Sequence, residues 1–119
     1  RIKGQAKEQG RKNITTVLCS GKSTRLPKNS VDLAFICDTY HHFEYPAQTL
    51  ASLHEALRPG GEIYLIDFKR VKGESSDWIL NHVRAGEAVF AGEIEAAGFK
   101  RIGRVKLLKD NYILRFRKP

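Results

Sequence analysis

The chain is predicted to be α/β, a mostly parallel sheet that ends in an antiparallel C-terminal hairpin. Three observations carry that prediction. Residues 31–37 and 62–68 are short, almost wholly apolar runs, with Ile63, Tyr64, Leu65 and Ile66 consecutive in the second. Runs of that length without polar alternation read as strands covered on both faces. Between them, residues 46–57 place Leu50, Leu53 and Leu57 at spacings of three and four, which makes a helix with one core-facing stripe. Strand, helix, strand at this size implies two parallel strands joined by a right-handed crossover. The end of the chain then changes period: Tyr112, Leu114 and Phe116 alternate with Ile113, Arg115 and Arg117, a strand with one wetter face.

The remaining elements follow from local chemistry. Residues 1–9 are a polar helical stretch stopped by Gly10, and residues 14–19 are a β-branched run that reads as a strand. Residues 21–27 form a loop, and Lys28-Asn29-Ser30 is the turn into the first apolar strand. Pro46 opens the helix at a first-turn position, where its missing N–H costs nothing. Pro59, Gly60 and Gly61 end it. A helix begins near Ser75, Ser76 or Asp77, any of which can cap it, and Trp78, Ile79 and Val83 give it an apolar side. The next carries Phe90, Ile94 and Ala97 and stops at Gly98. Residues 102–108 and 112–117 are strands joined by the turn Lys109-Asp110-Asn111.

At 119 residues with 41% hydrophobic residues, the sequence describes a single domain spanning 1–119 and excludes a disordered chain. No run approaches the roughly eighteen apolar residues a membrane span needs, and no signal peptide is visible, so no membrane partner is expected. Cys19 and Cys37 sit in separate apolar strands and are expected as buried free thiols, which points to the cytoplasm. The formal net charge of +8 is uneven: residues 1–30 and 100–119 each carry +7 and residues 31–99 carry −6. Basic ends are compatible with nucleic acid. Lacking any aromatic-basic stacking motif, they are read instead as an exposed helix and an edge hairpin.

The ordered phrases from Leu26 to Phe68 resemble the second half of a class I S-adenosylmethionine-dependent methyltransferase. "RLP" precedes a strand, "VDLAFICDTYHHF" is that strand and its loop, "ALRPGGEIYLIDF" leads into the next, and "EIEAAGFKRI" resembles the last helix and strand entry. The resemblance implies a truncated Rossmann-like methyltransferase fold, with family strand order 3-2-1-4-5-7-6, and S-adenosylmethionine as cofactor. The family's glycine-rich first motif, Gly-x-Gly-x-Gly, has no counterpart here. The chain contains no methionine and opens on Arg1-Ile2-Lys3. It is therefore expected to be the C-terminal part of a methyltransferase domain with an incomplete cofactor site, and to bind the cofactor weakly or not at all by itself.

Ligands of such sheets sit beyond the carboxyl ends of the strands, so residues 37–43 and 67–70 fall where chemistry is expected, with Asp38 taken as the one carboxylate of that rim. By resemblance, Gly21, Lys22 and Ser23 match the family's adenine-contacting phrase. Lysine replaces an acid there, and an ammonium cannot accept the adenine amino hydrogen; Ser23 or the backbone alone is left to do so, the alternative being a plain solvated loop. Cys37 and Asp38 end the central strand where the cofactor lies, and Asp38 either binds its amino group or caps the following turn. Tyr40, His41 and His42 line the entrance to the acceptor site; one of the histidines is a candidate general base, the alternative being packing. Adjacent His41 and His42 cannot chelate together, His54 and His82 lie on different helices, and no metal is expected.

Methyl transfer needs alignment more than covalent chemistry, so the acceptor, expected to be a small molecule, is not disclosed by these residues. Two other readings compete: a non-catalytic Rossmann-like binding or interaction module that has lost its cofactor, and a nicotinamide- or nucleotide-binding α/β enzyme. Without the family's first two strands, the central apolar strand would have an open edge. The expectation is that residues 14–19 pair directly onto residues 31–37, or that the chain forms a homodimer or a complex with the missing N-terminal half.

Overall fold

The computed structural model describes Val17, Leu18 and residues 20–119. The helix expected at residues 1–9 lies outside the described residues, as does most of the strand expected at 14–19; Val17 and Leu18 join no ladder. The described elements are β1 (Val31–Cys37), a 3-10 turn at Tyr40–His42, α1 (Pro46–Ala56), β2 (Leu57–Phe68), α2 (Asp77–His82), α3 (Glu87–Ala96), β3 (Lys100–Val105) and β4 (Asn111–Arg117).

The four strands form one sheet in the order β1-β2-β4-β3. This is the 4-5-7-6 half of the strand order that the resemblance implies. β1 and β2 are parallel, with Phe35 opposite Tyr64 and Cys37 opposite Ile66. β4 then inserts antiparallel between β2 and β3, Leu114 facing Leu65. In one detail the expected description changes: among the described strands one junction is parallel and two are antiparallel, because the terminal hairpin contributes both of the latter.

Pro46 occupies the first turn of α1, and Leu50 and Leu53 are buried along its stripe. Those leucines meet Ile36, Ile63, Leu65, Leu114 and Phe116 from one sheet face and Phe90 and Ile94 from α3. Ser76 caps α2 by accepting the Ile79 N–H at 3.3 Å. Gly98 ends α3 in the left-handed region at φ +101°.

Two boundaries and one burial pattern differ from the sequence reading. β2 starts at Leu57, five residues before the apolar run, and Arg58–Gly61 forms a bulge between the Val31–Leu57 and Leu33–Glu62 pairs. That bulge pairs with the chain end, Gly60 N–H donating to Lys118 O at 2.8 Å and Lys118 N–H to Gly61 O at 2.9 Å. β3 ends at Val105, leaving Lys106–Leu108 in the loop. Finally, β1 is not covered on both faces among the described residues: Ile36 is buried against α1 and α3, whereas Leu33 and Phe35 are exposed on the opposite face. Cys37, expected as a buried thiol, shares that open face and is an exposed free cysteine; Cys19 lies outside the described residues.

Candidate functional site

The parallel ladder continues one step beyond β1, where Asp38 N–H donates to Ile66 O at 2.8 Å. Asp38 then turns into the left-handed region at φ +52°, a conformation its short polar side chain tolerates. The chain leaves the sheet as the 3-10 turn, closed by His42 N–H to Thr39 O and Phe43 N–H to Tyr40 O. Three side chains of this rim loop are tied down by three different elements.

Asp38 Oδ1 accepts from Asn111 Nδ2 at 2.7 Å, binding the loop to the start of β4. It does not cap the Thr39–His42 turn, which has no side-chain cap. Burial, then the nearby charge of Asp67, raises the Asp38 carboxyl above its ordinary value, against the opposing pull of His41 and Asn111. Burial first, then the charges of Asp38 and Asp67, push the Cys37 thiol up and keep it protonated near neutrality.

Tyr40 is fully buried and its hydroxyl donates to Glu93 Oε1 at 2.9 Å. Burial first, and the bond to Glu93 second, raise it well above the usual phenol range. It is a packing and anchoring residue, edge-on to Phe90 with ring centroids 4.9 Å apart. Glu93 in turn receives both terminal nitrogens of Arg84, at 2.8 and 2.9 Å.

His41 is buried too, its Nδ1 2.8 Å from Asp67 Oδ1 while its backbone N–H donates to Asp67 Oδ2 at 3.2 Å. Asp67 has no exposed surface and also accepts the Phe68 N–H at 2.8 Å. This carboxylate was not singled out in the sequence. The signal was present: an acid directly after a buried apolar run on the strand adjacent to β1 must find a partner, and the rim loop is the nearest segment.

His42 is exposed, its ring leaning on that of His41 at 4.1 Å. It lines a cavity of about 340 Å³ with Phe43, Glu44, Gly21, Ser23 and Thr49 among its walls. The loop 20–24 is laced to α1, Thr24 N–H donating to Ser52 Oγ at 3.0 Å and Thr49 Oγ1 to Gly21 O at 3.2 Å. The structure thus brings Gly21 and Ser23 to one wall and His42 to another. Lys22 turns away, its ammonium over the Tyr45 ring at 4.8 Å, and Cys37 and Asp38 are not part of the cavity wall. Among the described residues no group of three or more His, Cys, Asp or Glu is placed to hold a metal ion.

Residues 2–65 match the model of a family described as the methyltransferase domain. The chain belongs to that family. Its fold is the Rossmann-like fold of S-adenosylmethionine-dependent methyltransferases. A SAM-dependent methyltransferase from Aquifex aeolicus superposes on 98% of this chain with a TM-score of 0.84 at 20% identity, and 61% of its own length is covered. The [4+2]-cyclase SpnF matches 98% of the chain at a TM-score of 0.83 and 14% identity, with 60% of its length covered. An S-adenosylmethionine-dependent methyltransferase from Mesorhizobium loti matches 96% of the chain at 0.73 and 16% identity, over 74% of its length. This methyltransferase-family chain therefore spans about 60% of the first two structures. No curated protein matches it. Among the described residues no helix is long and apolar enough to cross a membrane.

Proposed function

We propose that residues 1–119 are the C-terminal part of an S-adenosylmethionine-dependent methyltransferase domain, acting on a small-molecule acceptor in the cytoplasm. One observation carries this reading: two segments far apart in sequence, 20–24 and 42–44, close a single cavity at the carboxyl end of the sheet, where ligands of such sheets bind.

The residues there fit the cofactor's adenosine end. At about 340 Å³ the cavity is near the lower limit of ligand pockets, which run roughly 300–1,000 Å³. Ser23 Oγ already accepts the Arg25 N–H at 3.0 Å, so its hydroxyl proton is left to donate to a ring nitrogen. Gly21 keeps that wall low. Outside the cavity wall, at the cofactor's amino-acid end, Asp38 has Oδ1 engaged by Asn111, leaving Oδ2 for an ammonium. The cofactor, when bound, supplies an electrophilic methyl group on a good leaving group. The chain's own task is alignment: the three ties of the rim loop hold its backbone, and His42, the exposed member of Tyr40, His41 and His42, is positioned to take a proton from an acceptor.

Saturation-transfer NMR on the full chain with S-adenosylmethionine tests the reading. Contact to the adenine protons, weak in affinity and abolished by Gly21→Trp, is expected. Transfer from NAD that S-adenosylmethionine does not displace would favour the nucleotide-enzyme reading. No transfer from either, even at millimolar ligand, would favour the interaction module. That second reading is supported by the outer edge of β1, unpaired among the described residues, which suits a homodimer or a complex with an N-terminal half.

A further inference from the structure

The cations among the described residues fall into two groups. Ion pairs neutralise Arg58 with Asp32, Arg84 with Glu93, Arg101 and Arg104 with Glu87, and Arg115 and Arg117 with Glu62. The others form no such pair: Lys22, Arg25 and Lys28 ahead of β1, Lys100 and Lys118 at the far end of the terminal hairpin, and Lys69, Arg70, Lys72, Lys106 and Lys109. These last five gather on two loops at one end of the sheet, the segment after β2 and the turn between β3 and β4.

The two loops are bound to each other. Lys69 N–H donates to Asp110 O and Lys69 Nζ to Lys109 O, both at 2.9 Å. The first loop is also held internally, Val71 N–H donating to Ser75 Oγ at 2.8 Å and Ser75 Oγ to Lys69 O at 2.6 Å. Between the loops opens a cleft of about 540 Å³, with Phe68, Val71 and Ile79 among its walls.

The tips of this basic surface are apolar. Leu107 is 77% exposed, Leu108 45% and Val71 45%, and Trp78, edge-on to Phe68 of the cleft wall, is 53% exposed. Large aliphatic side chains held out on tethered loops and flanked by unpaired lysines are the composition of an interfacial anchor: the apolar tips enter the headgroup boundary and the lysines meet anionic headgroups. Glu74, Asp77 and Asp110 are the acids of the same region and leave it net positive. Nucleic acid is the poorer fit, because the exposed ring of this surface, Trp78, already stacks on His82 with centroids 4.9 Å apart, and leucine and valine offer a base no other.

We infer that the loops 69–72 and 106–109 dock this chain on the surface of an anionic phospholipid bilayer. No segment enters as a span. The surface lies at the same end of the sheet as the rim loop, so docking would hold the carboxyl ends of β1 and β2 near the lipid. This inference does not depend on the chain binding a cofactor.

Flotation of the full chain with vesicles tests it, comparing phosphatidylcholine alone with phosphatidylcholine plus phosphatidylserine. Flotation with the mixed vesicles only, weakened by salt, is expected. Trp78 is the single tryptophan, so its emission should shift to the blue on the mixed vesicles. One juxtamembrane lysine is worth about fivefold in partition; Lys106→Glu with Lys109→Glu should weaken flotation at least about tenfold. Leu107→Ser with Leu108→Ser should weaken it too, while leaving the charge unchanged. Both pairs are exposed, and an unchanged circular dichroism spectrum shows that each variant is folded. Absence of flotation with the mixed vesicles overturns the proposal, as does flotation indifferent to both double variants. Binding of single-stranded RNA with the same dependence on Lys106 and Lys109, and no vesicle binding, overturns it in favour of nucleic acid.

Discussion

Asp67 and His41 stand at the ends of two neighbouring parallel elements and share one buried contact of 2.8 Å, reinforced by the His41 backbone N–H on the second carboxylate oxygen. The pair converts the end of β2 into a fixed seat for the loop that follows β1. His42, one residue on, owes its place at the cavity to that seat.

Removing one partner leaves the other buried without its bond, which is costlier than losing the pair as a whole. Asp67→Ala is expected to destabilise the chain by about 3 kcal/mol, read as the shift of a urea unfolding curve. The double variant Asp67→Ala with His41→Phe should recover part of that loss. A change under about 0.5 kcal/mol, the range of neutral surface substitutions, would remove the seat from the account.

Gly60 and Gly61 should respond differently to alanine. A Cβ at Gly61 would meet Arg58 O at 2.8 Å and Asp32 O at 3.2 Å, both backbone atoms of the bulge and its neighbour. A Cβ at Gly60 meets nothing within 4 Å, but the residue sits at φ +82°. Gly61→Ala is expected to cost about 2 kcal/mol through overpacking, and Gly60→Ala about 1 kcal/mol through the left-handed backbone alone. Equal losses would show that the clash at Gly61 relaxes.

Two carboxylates give the stability curve opposite slopes in acid. The hydrogen bonds from Arg84 hold Glu93 below its ordinary value of 4.5, so the folded state binds the proton less readily than the unfolded chain. Its stabilising share is present above about that pH and is lost as the pH falls through the lowered value. Asp38 is held above its ordinary value of 3.8, chiefly by burial. Its share is greatest when protonated and declines as the pH rises from about 3.8 through the raised value. Glu93→Gln should flatten the acid limb of the denaturation midpoint against pH, and Asp38→Asn the decline above it. A Glu93→Gln profile that parallels the parent would contradict the Arg84 assignment.

The outer edge of β1 is unpaired among the described residues, and Leu33 and Phe35 are exposed beside it. Such an edge recruits strands. Small-angle scattering across a concentration series should show association by the chain alone, reversed by Phe35→Lys. A monomer at every concentration would fail the prediction.

The crossover was legible because its signals are periodic and local: two nearly unbroken apolar runs, a leucine stripe, and Pro46 at the start of the helix. The site was legible only in outline. Gly21 and Ser23 were placed at the carboxyl end by the family resemblance and His42 by following β1, but which of three adjacent residues faces the cavity depends on where one 3-10 turn begins, and no pattern in Tyr40-His41-His42 reports it. Asp67 was hidden for a related reason, since its partner lies across the crossover. The early start of β2 at Leu57 was also unreadable: Arg58–Gly61 has the residues of a turn, and it becomes strand only because Lys118 supplies backbone partners from the far end of the chain.

Lys118 has a wider reach than its position suggests. Its ammonium donates to His54 O at 2.6 Å and to Leu57 O at 2.8 Å, placing a cation on the last carbonyls of α1 where the helix dipole favours one. Trading this lysine for alanine would empty no part of the hydrophobic interior. It would nonetheless unfasten the joint at which the first helix hands over to the second strand, two elements that the rest of the fold hangs upon.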